Sequence, residues 1–231
     1  MDLSRRTFIA SAGLAPVACG GLSYEQGILV AQPNPLPIIR SPKVGQEWTY
    51  IKRNVFNGKI LDLITERVTS INSNITIERM SQDGSRLPNE VQRTWGMVIT
   101  DAQWPRILNF NPSIPLWPLN LSSSWNQQFN VQYTVTGYPN NFLNWRQYMQ
   151  AEGWEKITVP AGEFIALRYK SIIHYQGNED DQVHSLRKTT AWFSPQIGRW
   201  VARESSGSYR VAEIGDDVLE GSYQWQLISW K

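Results

Sequence analysis

The sequence is poor in the residues that build metal and disulfide sites. Its 231 residues include one cysteine and two histidines. A single cysteine excludes a disulfide scaffold, a cysteine-based zinc site and an iron–sulfur site. The 22 Lys and Arg nearly balance the 20 Asp and Glu, so the net charge is +2. The chain therefore lacks the basic character of nucleic-acid-binding proteins. No apolar run approaches the roughly 20 residues of a membrane span.

Aromatic residues, by contrast, are abundant. The chain contains 11 Trp, 9 Tyr and 7 Phe. Each of these side chains contributes a large apolar area when it is buried. The length suits one domain with a substantial core.

Alternating apolar and polar residues predict an all-β fold. In the clearest case Phe129, Val131, Tyr133 and Val135 alternate with polar residues. This period is typical of a sheet that is covered on one face. Asn-Gly at 57–58 lies between two such runs and is a strong hairpin signal. The spacing of about ten candidate strands predicts a strongly curved antiparallel sheet or open half-barrel.

Two segments depart from this pattern. Residues 101–123 contain four prolines, and proline removes the donors of a strand ladder. We therefore predict a long proline-rich crossover there, rather than a central strand. The best helix candidate is 144–152, where Trp145, Tyr148 and Met149 could share one face. The fold is accordingly expected to contain at most one short helix.

Residues 1–31 are predicted to be a signal peptide and the start of a tether. The run Ser4-Arg5-Arg6-Thr7-Phe8-Ile9 resembles the twin-arginine export signal, with Arg5 and Arg6 as its paired arginines. A short, weakly hydrophobic stretch rich in Ala and Gly follows, as in a signal-peptide core. This N-terminus predicts export to the periplasm or cell envelope.

The cleavage site has two interpretations. The run Pro16-Val17-Ala18-Cys19-Gly20 resembles a bacterial lipobox, which would be cleaved before Cys19 and lipidated there. It departs from that motif at Pro16, where leucine is usual. The rival is ordinary cleavage after Ala31. Residues 32–43 hold four prolines and predict an extended tether, and 44–231 are expected to form a single β domain.

Three local motifs carry a family resemblance. They are Val44-Gly45-Gln46-Glu47-Trp48-Thr49-Tyr50, Val159-Pro160-Ala161-Gly162-Glu163-Phe164 and Trp192-Phe193-Ser194-Pro195-Gln196-Ile197-Gly198-Arg199-Trp200-Val201. Their order resembles exported bacterial β-domains of unknown function, the TapB-like and related envelope proteins. Some of these look similar to the curved half-barrel of the LolA and LolB lipoprotein carriers. The resemblance implies no catalytic residues. Residues 160–162 and 194–198 are predicted to be turns between strands.

Six aromatic residues are candidates for a ligand-binding surface. In a half-barrel they would line an apolar concave cavity suited to a lipid-like ligand or an acyl chain. They are Trp48, Tyr50, Phe129, Tyr133, Trp192 and Trp225. One alternative is that the tryptophans only fill the core. Another is a flat aromatic platform for sugar rings.

The two histidines are candidates for a metal site. A hairpin centred on Glu179 would place His174 directly opposite His184, with Cβ atoms about 4.5–5.5 Å apart. With Asp180 or Asp181 nearby, they could hold a divalent metal. The alternative is a solvated acidic hairpin tip with two ordinary surface histidines. Since no third firm ligand is visible, no cofactor is predicted.

Catalysis has weaker support in the sequence. Glycoside hydrolysis needs two carboxylates that flank one bond. The candidates are Glu66, Glu78, Asp101, Glu163, Asp216 and Asp217, and the alternative is that all are solvated charges. The sequence has neither the Gly-x-Ser-x-Gly motif of a serine nucleophile nor a phosphate-binding glycine-rich loop.

The sequence as a whole predicts an exported envelope protein without catalytic activity. It would bind a hydrophobic or lipid-like ligand, or a protein partner, and would contact a membrane only through a lipid on Cys19, in the outer membrane. One alternative is binding or hydrolysis of cell-wall glycan or polysaccharide. Another is a structural or assembly lipoprotein.

Overall fold

The computed structural model describes residues 27–177, 182–211 and 215–231, except for the side chains of 182–184. Within these ranges the chain forms strands and no helix, so no helix is long and apolar enough to cross a membrane. The strands are β1 (Ile28–Val30), β2 (Glu47–Asn54), β3 (Ile60–Ile71), β4 (Ile75–Met80), β5 (Arg86–Thr94), β6 (Met97–Asp101), β7 (Leu108–Pro115), β8 (Asn126–Val135), β9 (Tyr138–Val159), β10 (Gly162–Tyr175), β11 (Gln182–Ser194), β12 (Arg199–Val211), β13 (Asp217–Leu219) and β14 (Tyr223–Trp230).

Twelve of these strands form a closed antiparallel barrel. Their order is β9-β10-β11-β12-β14-β2-β3-β4-β5-β6-β7-β8, and pairing of β8 with β9 closes the circle. The 22-residue β9 also pairs with β1, and β13 pairs with β12. The predicted all-β antiparallel fold is therefore confirmed. The sheet forms a closed barrel instead of the predicted open half-barrel, because its edge strands β8 and β9 pair with each other.

Several local predictions are confirmed by the strand boundaries. Along β8, Tyr133 and Val135 are buried, whereas the intervening polar side chains are half-buried or exposed. Residues 57–58 turn the chain between β2 and β3, and Gly58 has a positive φ of 68°. The turns at 160–161 and 195–198 connect β9 to β10 and β11 to β12.

The helix expected at 144–152 is wrong, because these residues lie inside β9. Burial alternates there residue by residue: Trp145, Gln147, Met149 and Ala151 are buried, and the residues between them are exposed. The spacing of Trp145 and Met149 is four residues, which suits both one helical turn and two strand repeats. The strand alternation was not recognised because Gln147, a polar residue, occupies the inward position between Trp145 and Met149.

The crossover expected over 101–123 is only partly irregular, because it contains β7. Pro112 lies in a bulge: Val98 pairs with Ile114 and Thr100 with Asn109, so a single residue of β6 faces four of β7. A bulge leaves residues outside the ladder, so Pro112 removes no donor that the sheet uses. Pro112 is therefore compatible with a β-strand at this position.

The two ends of the barrel differ. The end with the 195–198 turn, here called the far end, is filled by the larger apolar cluster, which includes Trp48, Trp117, Leu121 and Ile197. The segment predicted to be a tether packs there as well. Val30 and Ile39 contact this cluster, and the Arg40 amide donates to the Pro195 carbonyl at 2.9 Å. The opposite end, where β14 begins, is called the mouth.

Four charged side chains are buried together inside the barrel. Arg199 and Glu90 are both fully buried, and the guanidinium donates to both Glu90 oxygens at 3.1 and 3.0 Å. Arg199 also contacts Glu66 at 2.7 Å, and Arg79 contacts the other oxygen of Glu66 at 3.4 Å. Burial alone would raise the pKa of Glu90, but the adjacent Arg199 holds it below its ordinary value. The two positive and two negative charges compensate one another.

Replacing Arg199 with Met is expected to lower the free energy of unfolding by about 3–5 kcal/mol at pH 7, because the buried Glu90 loses its ion-pair partner and Glu66 keeps only Arg79. Chemical denaturation measures this loss. The control is Arg210→Met, since the Arg210–Asp217 pair is exposed (49% and 60%). Such pairs contribute roughly 0–1 kcal/mol.

The difference between Arg199→Met and the wild type should narrow as the pH falls below 4.5, the ordinary pKa of a glutamate. The stabilisation from the lowered pKa of Glu90 is complete above that pH and is lost as the pH falls from 4.5 through the lower pKa of the folded state. An equal loss of unfolding free energy in Arg199→Met and Arg210→Met would contradict the contribution of the buried ion cluster to stability.

Candidate functional site

A cavity of about 380 Å³ opens at the mouth of the barrel. Ligand pockets in proteins span about 300–1,000 Å³, so this volume suits a small molecule. Its walls combine aromatic and apolar side chains with three charged ones: Trp104, Pro105, Arg106, Leu108, Tyr133, Val135, Tyr175, Gly177, Arg187, Tyr209, Leu219, Glu220, Gly221 and Tyr223.

The loop between β6 and β7 supplies one wall of this cavity. Its Trp104 packs edge-to-face against Trp145 and Tyr175, with ring centroids 5.3 and 5.2 Å apart. The Trp104 indole N–H donates to a carboxylate oxygen of Asp101 at 3.0 Å. These contacts fix Trp104 against the smaller apolar cluster, which residues of β6 to β10 build.

A charged network crosses the floor of the mouth cavity. The Arg187 guanidinium lies over the Trp104 ring, 3.7 Å from its centroid, and its Nη2 is 2.5 Å from Glu220 Oε2. The Tyr175 hydroxyl donates to Glu220 Oε1 at 2.6 Å. Burial, and secondarily the carboxylate of Glu220, raise the pKa of Tyr175. The phenol therefore stays protonated and is the donor in its hydrogen bond to Glu220. Arg187 and Glu220 thus neutralise each other at the floor.

A second, inner cavity of about 90 Å³ lies deeper in the barrel. It shares Trp104 and Arg187 with the mouth cavity, so these two side chains separate the two spaces. Its polar lining consists of Asp101, Gln103, Gln147, Ser171, Arg187, Thr189, Arg203 and Ser205, and its aromatic lining of Trp104, Trp145, Tyr169, Trp200 and Trp225. The volume corresponds to about three water molecules at 30 Å³ each.

Asp101 is the one acidic residue that lines the inner cavity. Its oxygens accept hydrogen bonds from the Trp104 indole and from the Gln103 amide, the latter at 2.9 Å. Burial raises the pKa of Asp101, and the neighbouring Glu90 carboxylate raises it further. The side chain therefore holds the mouth loop in place and is reluctant to ionise.

The structure does not bring the six predicted aromatic residues to one cavity. Tyr133 lines the mouth cavity and Trp225 the inner one. The other four belong to the packing of the far half of the barrel, where Phe129 is half-buried and Trp48, Tyr50 and Trp192 are buried.

The polar atoms of the three buried rings are satisfied inside the protein. The Trp48 indole donates to the Ile197 carbonyl and the Tyr50 hydroxyl to the Trp200 carbonyl. The Trp192 indole donates to Glu155. A buried hydrogen bond of this kind suits a core role, so the alternative of core filling describes Trp48, Tyr50 and Trp192.

The sequence did not single out Trp104, Arg187, Arg203 or Glu220, although they define the two cavities. A signal existed for Arg187, because it is two residues from Thr189 and four from the buried Ala191, on the inward face of β11. A charged residue at an inward position is unusual. For Arg203 no such signal existed, since a bulge at Val201 shifts the inward phase of β12.

The direct pairing of the two histidines is wrong. The register places His174 opposite Leu186, not opposite His184, because the hairpin is offset by two residues. His174 is largely exposed. Desolvation of the small part of the side chain that is buried, and secondarily the charge of Arg146, lower its pKa. The side chain of His184 lies outside the described residues, as do Arg5, Arg6 and Cys19. Among the described residues no group of three or more His, Cys, Asp or Glu could hold a metal.

The carboxylates considered for glycoside hydrolysis are dispersed. Glu66 belongs to the buried ion cluster, Glu163 contacts Lys156 at 2.8 Å, and Asp217 contacts Arg210 at 3.0 Å. Glu78 lies 3.7 Å from Arg86, and Asp216 is exposed. Of the candidates, Asp101 alone lines either the mouth or the inner cavity. A pair of carboxylates facing one cleft is therefore not formed by these residues in the described structure.

Comparison with known proteins establishes the fold and no more. No protein-family model and no curated protein sequence matches the chain. A Parabacteroides distasonis protein described as a "putative lipoprotein" has a similar structure, with a TM-score of 0.53 and 13% identity over 84% of this chain and 100% of that chain. At this identity the similarity concerns the barrel architecture.

Two further structures are more distant. A "putative exported protein with YmcC-like fold" from Bacteroides fragilis gives a TM-score of 0.48 and 16% identity over 84% of this chain and 99% of that one. The "hypothetical lipoprotein YmcC" from Escherichia coli gives 0.44 and 11% over 80% and 84%.

Asp101→Asn tests the environment of the inner cavity. Because the folded pKa of Asp101 is raised above its ordinary 3.8, the folded wild type loses stability as the pH rises from that value and the carboxyl ionises. The variant has no such loss. Its free energy of unfolding should therefore increase relative to the wild type between pH 4 and 7. Urea denaturation at several pH values measures the difference, with Asp217→Asn as the exposed control. A difference that stays constant with pH would contradict the raised pKa.

Proposed function

We propose that this chain is an exported envelope protein that binds a small amphipathic molecule at the mouth of its barrel, without converting it chemically. The observation that carries the proposal is the mouth cavity, which joins about 380 Å³ of space to aromatic and apolar walls and a few polar groups. This combination is typical of small-molecule sites. The proposal also keeps the sequence-based expectation of a hydrophobic or lipid-like ligand, at a set of residues that shares only Tyr133 with the six predicted aromatics.

The polar groups of the mouth favour binding over catalysis. Glu220 is engaged by both Arg187 and Tyr175, and Asp101 accepts bonds from the Trp104 indole and a backbone amide. A general base or nucleophile needs a group that is free to act on a substrate. These carboxylates instead hold the walls in position.

An assembly role is the second candidate, and one observation favours it. Phe56 and Leu219 are exposed by 71% and 75%, and both line a shallow groove outside the mouth. Exposed apolar side chains that lie together are typical of protein contacts. A partner that docks there would cover the rim of the mouth.

We propose further that Cys19 is the first residue of the mature chain and carries the lipid. The support comes from β1, which pairs Ile28 with Lys156 and Val30 with Trp154. Gly27 packs so closely on Glu155 that a Cβ there would lie 2.5 Å from a carboxylate oxygen. Cleavage after Ala31 would remove this strand, whereas cleavage before Cys19 keeps it. The description of a similarly folded protein as a lipoprotein agrees with this choice.

The N-terminus can be tested in a bacterium that has twin-arginine export and lipoprotein processing. Mass spectrometry of the purified protein should show an N-terminal peptide that begins at lipid-modified Cys19, and Cys19→Ala should abolish the modification. Replacing Arg5 and Arg6 together with Lys should retain the chain in the cytoplasm. An N-terminal peptide beginning at Gln32 would overturn the lipid anchor and establish the rival cleavage.

Ligand binding can be tested on residues 20–231, which retain β1, produced in the periplasm and purified without detergent. Native mass spectrometry should show a bound species of lipid size. The neutral fluorescent probe N-phenyl-1-naphthylamine should bind the purified protein, and Leu219→Asp should weaken its binding roughly three- to tenfold, because the mouth loses apolar lining and gains a charge.

The matched control is Ile71→Asp, the same kind of change at an exposed apolar residue of the far end. It should leave probe binding unchanged. A bare polypeptide mass together with no probe binding would refute the binding proposal and favour the assembly role.

A further inference from the structure

We propose that the inner cavity is an anion subsite in which Arg203 holds a small carboxylate- or phosphate-type group of the ligand, while the apolar part of the ligand fills the mouth. This inference rests on the proposed function and names the ligand class: an amphiphile with an anionic head. The head enters first and the apolar part remains between the aromatic walls.

Arg203 is a cation without an ion-pair partner among the described residues, although the carboxylates of Glu66 and Asp101 raise its pKa from a distance. Its Nε is buried and makes no hydrogen bond, and among the described residues no carboxylate forms an ion pair with it. The guanidinium lies between two rings, 4.1 Å from the Trp225 centroid and 4.6 Å from that of Trp200. Burial lowers its pKa to about 10, so the side chain remains positively charged at neutral pH.

Arg199 and Arg79 are buried more completely than the half-buried Arg203, and both have carboxylate partners. Arg199 contacts Glu66 and both oxygens of Glu90. Arg79 contacts Glu66 and donates to the Ala102 carbonyl at 2.6 Å. Burying a charge without a partner is costly, and the interior meets that cost for Arg199 and Arg79 but not for Arg203. A ligand anion would supply the missing partner.

A second cation strengthens the positive potential around this point. In the register of the barrel, Trp225 pairs with Arg203 on one side and with Lys52 on the other. The Lys52 ammonium lies 5.4 Å from the Trp225 centroid. Burial lowers the pKa of Lys52, and Arg203 lowers it further, which indicates that the two cations repel each other. An anion beside Arg203 would relieve that repulsion.

The remaining lining provides little compensation and several donors. Asp101 is the only acidic residue of the inner cavity, and both of its oxygens already accept hydrogen bonds. The hydroxyls of Ser171, Thr189 and Ser205 line the same space. Ser171 accepts a bond from Gln147, so its own proton is free to be donated. Hydroxyls and a planar guanidinium together suit a carboxylate or a phosphate.

The two cavities fit the two parts of such a molecule. The inner one, at about 90 Å³, has room for a head group and not for a chain, whereas the mouth has about 380 Å³. Only Trp104 and Arg187 are shared by both linings. Because the Arg187 guanidinium stacks on Trp104 at 3.7 Å, a head group displaces this contact to reach Arg203 and leaves its tail in the mouth.

The test compares three ligands that have the same tail: decanoate, decyl phosphate and 1-decanol. Displacement of N-phenyl-1-naphthylamine from residues 20–231 gives the affinities. The wild type should bind at least one of the two anions tenfold or more tightly than decanol, and the stronger of the two identifies the head group. Arg203→Met should remove this preference and change decanol affinity less than threefold. Arg67→Met, at a half-exposed pair with Glu47 near the far end, is the matched control and should keep the preference.

Ser205→Leu is a second variant, which fills the inner cavity and leaves Arg203 in place. This variant should also remove the preference for anions. If thermal denaturation shows that Arg203→Met does not fold, Ser205→Leu alone decides the test. Equal wild-type affinity for all three ligands, or a preference that survives in Arg203→Met or Ser205→Leu, would overturn the anion subsite while leaving the proposed mouth function intact. Failure of all three ligands to bind the wild type would overturn both.

Discussion

The pairing of β8 with β9 is the constraint on which the rest of the structure depends, because it turns a curved sheet into a barrel with an inside. A closed sheet has no free edges, and its inward residues must be packed, paired or solvated within a fixed space. Aromatic packing fills the far half. The mouth half is held open by side chains that bond to one another, such as Trp104 to Asp101 and Arg187 to Glu220.

The charges inside the barrel show how the interior is divided. Next to the filled half, the charges of Arg199, Glu66, Glu90 and Arg79 compensate one another in a buried cluster. Toward the open half, Arg203 has aromatic neighbours and no counter-ion among the described residues. The first arrangement is complete without a ligand. In the second, a half-buried cation has no ion-pair partner, and this difference is the basis of the proposed anion subsite.

The sequence allowed prediction of what is local, and failed where distant contacts decide. The strand of Tyr133 and Val135 and the turn at 57–58 follow from period-two alternation and turn chemistry, which neighbouring residues set. Closure depends on the pairing of β9 with β8 and of β14 with β2, and the latter joins the first and last barrel strands in chain order. Arg203 could not be found because the bulge at Val201 reverses which residues of β12 face inward.

The N-terminal segment relates the orientation of the barrel to the proposed lipid on Cys19. β1 runs antiparallel to β9, so Gly27 lies toward the far end of the barrel, beyond the pair of Ile28 with Lys156. Seven residues separate Cys19 from Gly27, and the eight steps from one Cα to the next span at most about 28 Å when fully extended. A lipid on Cys19 would therefore hold the far end toward the membrane. The mouth would face away from it, accessible to a ligand or partner that arrives from the aqueous side.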